Sequence, residues 1–527
     1  MIEYFLAGGA LRGAQVLMDA AIWIAFGCFI AAIFRNMLGH DKTRLLFGNS
    51  GRYGLLIGWG IGMLLPVCSL GVIPVVRELH RAGVKQGTII AFGLTAPLFN
   101  PLSVLYGLSL SDPIAIIVFS AAAMLIVTGV GAVWGIFVSS DATEKDDKKA
   151  AHVVAGSGIR RSLAVIHGVS TEMVSWSLVF IAIGVLVSAA MSVAFEHGTL
   201  QGETEPDNIF APAMMACYVT PVYSTPLLAM SQIGGMFQHG NSVGAAFSLL
   251  ILGAGINIGL LFWFASAFGL KRVVIFLCLL FSLTLGLAYA MDKPLYPKGV
   301  TPAGHTHAFD VYTHPFHKGQ PELWNLAKGS ISEHYKKSGG AYGLKLLGLL
   351  MVLGLVFRIV ESRWDLKSWF ESQQTTSSRL DVALPAWVIG MVACVGLVAA
   401  SIFGAYLYYP APGSVLFDLS ATNANCVVAA KTGDWEAVDK LVVYCDDLSR
   451  RLEVGVFLRT GTVSDFKRAK ARAYRDKLDE LRDDIAVGQT SRTNEQAMEL
   501  LQTYHQMSAA FREYKPKKPP RNEEESR

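Results

Sequence analysis

Long apolar segments separated by short charged loops dominate the first 409 residues of the chain. Some of these segments are unbroken and long enough to cross a bilayer as helices: 14–34, 113–138, 173–195, 272–290, 343–360 and 385–409. Two further segments of spanning length, 86–110 and 243–268, hold an asparagine near the middle, and two more, 54–79 and 210–237, are interrupted by proline and serine. The pattern predicts an all-α polytopic membrane protein with several broken helices.

The interrupted segments are related to one another. PVCS at 66–69 is echoed by PVYS at 221–224. A second match has the same internal spacing in both copies: Gly83, Gly87 and Asn100 against Gly240, Gly244 and Asn257. The two matches predict an internal duplication, although proline kinks in ordinary spans would give a similar pattern. Paired, interrupted segments in two halves of a chain indicate a transporter binding site.

The charges of the short loops indicate that the two copies are inverted. Lys and Arg favour the cytoplasmic side of a membrane. Loop 35–53 carries four of them and the turn after 54–79 carries three, so both lie inside only if 54–79 enters and returns as a hairpin. The second interrupted segment, 210–237, then opens to the exterior, and the turn after it has none. We therefore expect two inverted repeats, each with a broken or re-entrant helical hairpin.

This arrangement divides the chain into consecutive regions. They are a first repeat (1–140), a cytoplasmic linker (141–172), a second repeat (173–290), an exterior loop (291–342), two additional transmembrane helices (343–409) and a soluble helical tail domain (410–527).

Composition supports a membrane protein and narrows the function classes. Of the 527 residues, 52% are hydrophobic and 16% are charged, whereas soluble domains have about 25% charged residues. The net charge of +4 lies mostly in loops, so no nucleic acid is expected as a partner. The chain contains no P-loop, no HExxH and no nucleophile–base pattern, so we expect neither ATP hydrolysis nor an enzyme, and no cofactor.

Two hairpins that enter from opposite faces would meet near the midplane of the bilayer. Irregular backbone at that depth is tolerated where it lines a cavity, and half-helix ends there can hold an ion or a small polar solute. Ser69, Ser224, Asn100 and Asn257 would add side-chain donors and acceptors to such a site. Each of them could instead be a satisfied polar residue in a packed core.

The first copy resembles a known family. LLPVCSLGVIPVVRELHRAGVKQGTIIAFGLTAPLFNPLSV is similar to the signature of the predicted permeases that include the organoarsenical efflux permeases (ArsP-like). Members carry a Pro-x-Cys-Ser segment, a Gly-Val turn and an Ala-Pro-Leu-x-Asn-Pro segment, which here are Pro66–Ser69, Gly83–Val84 and Ala96–Pro101. The resemblance covers about residues 10–290. It implies a multi-pass permease of the bacterial inner membrane for a small molecule or ion.

The resemblance also suggests one class of substrate. Arsenical exporters of this family are associated with cysteines that can meet trivalent arsenic. Cys68 is present, but Leu70 occupies the third place of the familiar Cys-Ser-Cys form. Cys217, near the second interrupted segment, is a candidate partner for Cys68. Export of a metalloid or organoarsenical is therefore one option among small solutes.

The positions of charged residues in the first repeat can be interpreted in two ways. Asp19 lies inside the first apolar segment, where a carboxylate usually faces a cavity, a partner or a proton path. It could also lie at the level of the outer headgroups. Arg77 and Glu78, at the exit of the first hairpin, are expected to anchor the membrane interface.

The loop after the second repeat is rich in histidine. GHTHAFDVYTHPFHKG contains His305, His307, His314 and His317, and His-x-His spacings can supply nitrogen ligands for zinc or copper. The same residues could pack a structured loop on the membrane face.

The tail suggests a separate exterior domain. Residues 410–430 contain no Lys or Arg, which agrees with an exterior location. Cys426 and Cys445 could form a disulfide in an oxidising compartment. Residues 463–486 and 493–513 have the apolar spacing of amphipathic helices. A permease and a membrane-anchored binding or assembly protein on a permease-like scaffold both remain compatible with the whole chain.

Overall fold

The structure is a computed structural model that describes most of the chain. The described residues are 2–48, 53–65, 67–110, 112–138, 159–196, 199–200, 202–297, 307–337, 340–364, 411–487 and 490–512, with eight single positions between 395 and 409. The chain splits into two compact units, Met1–Ile402 and Phe403–Arg527, which we call the membrane unit and the tail unit. All regular secondary structure in the described residues is helical, which confirms the predicted all-α class.

The membrane unit contains sixteen described α-helices. They are α1 (Ile2–Ile33), α2 (Gly39–Leu46), α3 (Gly54–Leu64), α4 (Val72–Arg81), α5 (Gln86–Thr95), α6 (Pro101–Leu110), α7 (Pro113–Val138), α8 (Ile159–Met173), α9 (Trp176–Ser192), α10 (Ala211–Val219), α11 (Pro226–His239), α12 (Val243–Ser248), α13 (Ile258–Phe268), α14 (Leu270–Asp292), α15 (Leu323–Lys337) and α16 (Gly340–Glu361). Short π-helical stretches, Phe34–Leu38 and Leu249–Ala254, follow α1 and α12, and 3₁₀ turns occupy Gly202–Thr204 and His307–Tyr312.

Several of these helices are long and apolar enough to cross a membrane. Among the described residues there are four: α1 with its continuation to Leu46, the first 24 residues of α7, α14 and α16. Two bent pairs raise the total to six if each pair is one span: α8 with α9, bent by 48°, and 243–254 with α13, bent by 58°. The protein is therefore a multi-pass membrane protein. The segment expected to span at 385–409 lies largely outside the described residues.

The asparagine-bearing segments, which were expected to be long enough to span, are not continuous helices. Helix α5 ends at Thr95 and α6 begins at Pro101, with Asn100 directly before it. The π-helical stretch ends at Ala254 and α13 begins at Ile258, directly after Asn257. Residues 159–172, assigned from sequence to the cytoplasmic linker, form most of α8.

The two halves of the membrane unit share one order of elements. Helices α3 to α7 and helices α10 to α14 each follow the same sequence: half-helix, break, half-helix, glycine turn, half-helix, break, half-helix, long helix. The glycine turns are made by Gly83 (φ 73°) and Gly240 (φ 67°), both in the left-handed region that glycine enters without a Cβ penalty. The matched glycines of the sequence thus have matched backbone conformations.

Helices α3 and α5 run side by side in the same direction. A Cβ atom added to Gly54 would lie 3.0 Å from Thr88 Oγ1, and one added to Gly62 would lie 2.9 Å from Thr95 Cβ. Because the start of α3 meets the start of α5, the chain between them returns to the level from which it departed. Helices α3 and α4 therefore form a hairpin.

The second half repeats this packing. A Cβ added to Gly244, at the start of α12, would lie 2.9 Å from Pro212 Cγ at the start of α10. One added to Gly253, in the π-helical stretch, would lie 3.2 Å from Val219 Cβ at the end of α10. Helices α10 and α11 therefore form a second hairpin of the same kind.

The tail unit is a bundle of continuous helices. It consists of α17 (Pro412–Thr432), α18 (Trp435–Thr460), α19 (Asp465–Val487) and α20 (Thr490–Phe511). The last two confirm the amphipathic helices predicted from sequence. One apolar core joins all four helices through fully buried residues, among them Leu419, Leu452, Leu478 and Leu500.

Candidate functional site

Four helix breaks lie together near the centre of the membrane unit. They comprise residues 65–71, 96–100, 220–225 and 255–257, two from each half, and Pro66 is outside the described residues. In each break the backbone leaves the helical hydrogen-bonding pattern, so amides and carbonyls become available to side chains or a ligand.

Helix α9 brings breaks from both halves into contact. A Cβ added to Gly184 would lie 2.6 Å from Leu70 Cδ2 in the first break and 3.0 Å from Asn257 Oδ1 in the fourth. One turn further along α9, the Ser188 hydroxyl accepts a hydrogen bond of 2.9 Å from the backbone N–H of Tyr223 in the third break. The small residues of α9 thus allow three breaks to meet along its length.

The second and fourth breaks also touch each other directly. A Cβ added to Gly255 would lie 2.9 Å from Leu98 Cδ2. A larger residue at position 255 would therefore push the two breaks apart. Together with the contacts along α9, this contact makes the four breaks one continuous region.

The matched asparagines begin the half-helices on the far side of their breaks. Asn100 Oδ1 accepts a 2.8 Å hydrogen bond from the backbone N–H of Ser103, and Asn257 Oδ1 accepts one of 2.9 Å from the N–H of Leu260. Asparagine is a preferred N-cap because its side chain satisfies an otherwise unpaired helix amide. Both caps aim the positive end of a helix dipole at the region of the breaks.

Equivalent positions of the two sequence echoes face one another. Cys68 of PVCS and Tyr223 of PVYS are both buried, and the Tyr223 hydroxyl lies close enough to the Cys68 thiol to interact with it electrostatically. Neither makes a full hydrogen bond to the other; the Cys68 Sγ accepts one of 3.3 Å from the N–H of Gly71. Cys68 therefore lies where the first and third breaks meet.

Several buried polar atoms of this region have no partner among the described residues. They are Ser69 Oγ, Tyr223 Oη and Asn257 Nδ2. A buried polar atom without a partner costs roughly 1–3 kcal/mol, so such atoms are rare in a folded core unless a ligand or water satisfies them. Atoms of this kind also occur elsewhere in the described residues; at the breaks they lie beside irregular backbone from both halves.

Comparison with known proteins agrees with this geometry. A family model described as a predicted permease, ArsP_1, matches residues 13–292, which contain all four breaks. The chain belongs to this permease family. The matched residues run from α1 to the end of α14, so α15, α16 and the tail unit lie beyond the family region.

Two curated proteins show the same likeness. "UPF0718 protein YcgR" of Bacillus subtilis (strain 168) is 23% identical over 281 residues, which are 52% of this chain and 92% of that protein. "Putative two-component membrane permease complex subunit" of Streptococcus mutans is 25% identical over 88 residues, which are 17% of this chain and 29% of that protein. No solved structure matches the chain.

Ser224 of the second half has more hydrogen-bonding partners than Ser69, its counterpart in the first half. Ser224 donates to the carbonyl of Thr225 at 3.2 Å. It also lies within hydrogen-bonding reach of the Tyr312 hydroxyl, which donates to Gln232 Oε1 at 2.8 Å. The pair Ser69 and Ser224 therefore occupies matched positions with different surroundings.

Two predicted site residues lie elsewhere in the membrane unit. Cys217 is exposed on α10 and is not among the buried residues of the breaks. Asp19 pairs with His334 of α15, with 2.8 Å between Oδ1 and Nε2, and it lies within electrostatic range of Tyr223. The partner that the sequence left open for Asp19 is thus a histidine from beyond the family region.

The histidines of the loop can be followed only in part. The described residues contain no group of three His, Cys, Asp or Glu side chains that could hold a metal ion. His314 is buried and bonds to the Phe316 carbonyl at 3.0 Å, while His317 is exposed. His305 and the side chain of His307 lie outside the described residues, so the metal hypothesis stays a prediction.

Arg77 and Glu78, which were expected to anchor the membrane interface, belong to an ionic network. Glu78 is fully buried and binds Arg35, and its other oxygen lies 3.1 Å from His40 Nε2. Arg77 Nη1 lies 2.9 Å from Glu172 Oε1 of α8. Burial is possible because each carboxylate meets more than one cation. The interface role of Arg77 and Glu78 stays a prediction, and the contact with Glu172 was not expected from the sequence.

The tail cysteines are both buried in its core. Cys426 lies on α17 and Cys445 on α18, and the structure holds both as free thiols. Burial raises the pKa of Cys426 to about 11 and that of Cys445 to about 12. The predicted disulfide between them stays a prediction.

Tyr223, Gln232 and Tyr312 are the residues that sequence reasoning missed. Tyr223 had a signal, because it aligns with Cys68 in the duplicated motif. Gln232 is a polar residue inside an apolar segment, which is a weaker signal. Tyr312 had none, because its contact depends on a distant loop folding back.

Proposed function

We propose that the protein is a secondary permease that moves a small polar solute or ion by alternating access. The four helix breaks would form the solute site, with Cys68, Ser69, Asn100, Ser224 and Asn257 as its residues. The observation that carries the proposal is the meeting of breaks from both halves around buried polar atoms that lack partners. Membership of a permease family supports a transporter rather than an enzyme.

Inversion of the two repeats is supported first by the direction of their long helices. Trp134 of α7 and Phe276 of α14 have ring centroids 5.7 Å apart. A Cβ added to Gly129 of α7 would lie 3.9 Å from Leu283 Cδ1 of α14. Moving back along α7 therefore means moving forward along α14, so the two helices run antiparallel.

The second argument for inversion comes from contacts of the glycines at the bases of the two hairpins. A Cβ added to Gly87, at the base of the first hairpin, would lie 2.4 Å from the carbonyl of Gly131, in the later part of α7. A Cβ added to Gly244, at the base of the second, would lie 2.7 Å from the carbonyl of Ala288, near the end of α14. Since those helices are antiparallel, the two hairpins open towards opposite ends, as inverted repeats require.

The chemistry of the breaks favours a neutral or anionic solute with affinity for sulfur. Helix N-termini at Asn100 and Asn257 favour negative or electron-rich groups, and Cys68 supplies a thiol. Trivalent arsenicals fit these features, so export of a metalloid or organoarsenical across the bacterial inner membrane is our specific proposal. Cys217 is exposed, so a site with two thiols is not part of it.

Solute accumulation in cells tests the transport proposal. Cells with and without the protein would be exposed to arsenite, methylarsenite, zinc, copper and phosphate, and the retained element would be measured by mass spectrometry. We expect lower retained arsenic in expressing cells, most clearly with methylarsenite. Equal contents for every solute, with the protein present in the membrane, would contradict transport of these classes.

Residue labelling tests the inverted topology without knowledge of the solute. Cysteines introduced at Ser50 and Lys85, which flank the first hairpin, should react with an impermeant maleimide only from the cytoplasm. A cysteine at Asp207, before the second hairpin, should react only from the exterior. Reaction of Ser50 and Lys85 positions from opposite faces, or of all three from one face, would remove the inverted-repeat model.

A second candidate function is a membrane-anchored binding or assembly protein. The family region ends at residue 292, and Phe403–Arg527 form a compact unit of their own, which we propose lies in the exterior. The streptococcal relative is named as a subunit of a two-component complex, which is compatible with a partner protein. Removing the tail should leave solute transport intact if the permease proposal is right. Loss of function with the tail, but not with changes at the breaks, would favour assembly.

A further inference from the structure

We propose that residues 307–317, which we call the lid segment, close one side of the solute site and that Tyr312 is a residue of that site. This inference rests on the proposed solute site at the helix breaks. The lid segment lies beyond the family region, which ends at residue 292. It would give this chain a closure that the permease region itself does not supply.

Tyr312 carries the contact between the lid segment and the site. Its side chain is buried, and its hydroxyl donates to Gln232 Oε1 on α11 at 2.8 Å. The same hydroxyl lies within hydrogen-bonding reach of Ser224 in the third break. A loop residue has therefore entered the second hairpin and lies beside Ser224, whereas Ser69 Oγ, at the matched position of the first hairpin, has no partner among the described residues.

Arg12 holds the lid segment in place by its backbone. The Arg12 guanidinium donates from Nε and Nη2 to the carbonyl of Thr313, at 3.1 and 2.8 Å, and it also donates to the carbonyl of Asp310. Arg12 is buried on α1, where a cation is costly unless its donors are used. Two carbonyls that flank Tyr312 satisfy it, so the arginine positions the tyrosine through the chain on either side.

His314 fastens the other side of the segment. Its ring stacks on Tyr4 of α1 with centroids 3.5 Å apart, and its backbone N–H donates to the Phe195 carbonyl at 2.8 Å. Glycine at position 8 leaves room for the ring, because a Cβ there would lie 2.7 Å from His314 Nε2. The lid segment thus bonds to α1, to the chain after α9 and to α11.

The lid segment and the ionic network lie at opposite ends of α1. Arg12 and Tyr4 are near its beginning, whereas Arg35 directly follows its end and binds Glu78 and Glu172. Access from the side of the lid segment therefore requires these contacts to open, independently of the network. Release of the lid segment frees the Arg12 guanidinium from the two carbonyls, so its donors must be satisfied by Gln15, which already accepts from Nη1 at 3.0 Å, and by entering water.

Cys68 is a native reporter of this closure because it is fully buried beside Tyr223. The full-length protein in lipid nanodiscs, where both faces meet solvent, would be treated with an impermeant methanethiosulfonate. Labelling of the Cys68 peptide would be followed by mass spectrometry. We expect Arg12→Gln and Tyr312→Ala to raise the labelling rate by about tenfold or more, because each removes bonds that hold the closed state.

Lys318→Ala is the matched control, since Lys318 is exposed, pairs with Glu196 and lies just beyond the lid segment. Its Cys68 rate should equal that of the unchanged protein. Unfolding of the membrane unit would be followed separately, by the loss of helical circular dichroism. If Arg12→Gln or Tyr312→Ala unfolds the protein, Tyr312→Phe decides: it keeps the ring, loses only the hydroxyl bonds and should still raise the rate.

An unchanged Cys68 labelling rate in folded Arg12 and Tyr312 variants would contradict the proposed closure. An equal increase of that rate in Lys318→Ala would contradict it too. Because labelling needs no solute, this result would leave the transport proposal standing. If the Arg12 and Tyr312 variants label faster but the protein transports no tested solute, the closure by the lid segment is supported and the permease proposal is contradicted.

Discussion

The membrane unit and the tail unit bury polar side chains in different ways. At the helix breaks, Ser69 Oγ and Asn257 Nδ2 have no partner among the described residues. In the tail, Tyr474 donates to Asn423 Oδ1 at 3.0 Å, and Tyr504 donates to the Leu416 carbonyl at 3.0 Å. These two tail hydroxyls fix one helix against another, although Glu453 Oε1 and Ser508 Oγ of the tail also lack a partner among the described residues. The difference lies in the backbone: the unpartnered groups of the breaks lie where helices from both halves are interrupted, whereas those of the tail lie on continuous helices.

The largest effect that sharpens this comparison is expected at the buried ion pair of the tail. Arg475 Nη1 lies 3.5 Å from Glu453 Oε2, and both side chains are buried. Arg475→Met should lower the unfolding free energy of the tail by about 3–5 kcal/mol, because it leaves a buried carboxylate without its cation. Urea-dependent proteolysis of the tail in the full-length protein measures this loss.

The double variant Glu453→Leu/Arg475→Met is its control. It should recover most of the lost stability, because no unpaired charge remains. A loss below about 1 kcal/mol in Arg475→Met would place the pair among weak surface-like interactions and contradict the role given to it.

The next effect concerns the tail thiols. A disulfide between Cys426 and Cys445 would stabilise the tail by roughly 3 kcal/mol if it forms. We expect it in an oxidising exterior, so that neither cysteine is alkylated in urea without reductant and both are alkylated after reduction. Denaturation is needed because burial raises both thiol pKa values. Two alkylated thiols without reductant would refute the pairing and weaken the exterior placement.

A matched pair of hydroxyl deletions tests the comparison itself. Tyr474→Phe removes a hydrogen-bonded hydroxyl and should cost about 1 kcal/mol of tail stability, with Asn423 left unsatisfied. Ser69→Ala removes a hydroxyl without a partner and should leave the thermal stability of the membrane unit unchanged. Thermal melts of the two variants beside the unchanged protein give both values. A destabilised Ser69→Ala would mean that this hydroxyl belongs to the packing.

The smallest effect is a pH dependence of tail stability. Burial raises the pKa of Glu453 above its usual 4.5 and that of Asp447 above its usual 3.8. The folded tail therefore binds these protons more tightly than the unfolded chain does. Their contribution is fully present below the unfolded pKa values and is lost as the pH rises through the folded ones.

Urea midpoints followed by circular dichroism at about pH 5 and about pH 7 measure this slope. The unchanged protein should have its higher midpoint at the lower pH, and Glu453→Gln should flatten the difference. A midpoint that rises with pH in the unchanged protein and is unaffected by Glu453→Gln would contradict the linkage.

Local patterns in the sequence predicted a large part of the fold. Proline and glycine mark where a helix cannot continue, and asparagine marks where a new one begins. The breaks near Cys68, Asn100 and Asn257 could therefore be predicted from the sequence. The tail helices were readable from their apolar spacing. These features depend on residues close together in the chain.

Contacts between distant parts of the chain could not be predicted from the sequence. Glu172 lies 94 positions beyond Glu78 in a segment interpreted as a charged linker, so the sequence could not pair it with Arg77 or Arg35. Tyr312 enters the second hairpin because Arg12 binds the backbone around it, and a backbone carbonyl leaves no signal in composition or spacing. Side-chain identity alone does not specify such bonds.

Substitution of the matched asparagines tests the central claim most directly. Asn100→Leu and Asn257→Leu remove the caps that aim two half-helices at the breaks, at a cost of about 1 kcal/mol each, so the protein should still reach the membrane. Arsenic retained by cells given methylarsenite would be measured for each variant, with Asn325→Leu as control, because Asn325 is an exposed residue of α15. We predict that both variants lose export while the control keeps it. Full export by both asparagine variants, at equal membrane abundance, would contradict a solute site built from the helix breaks.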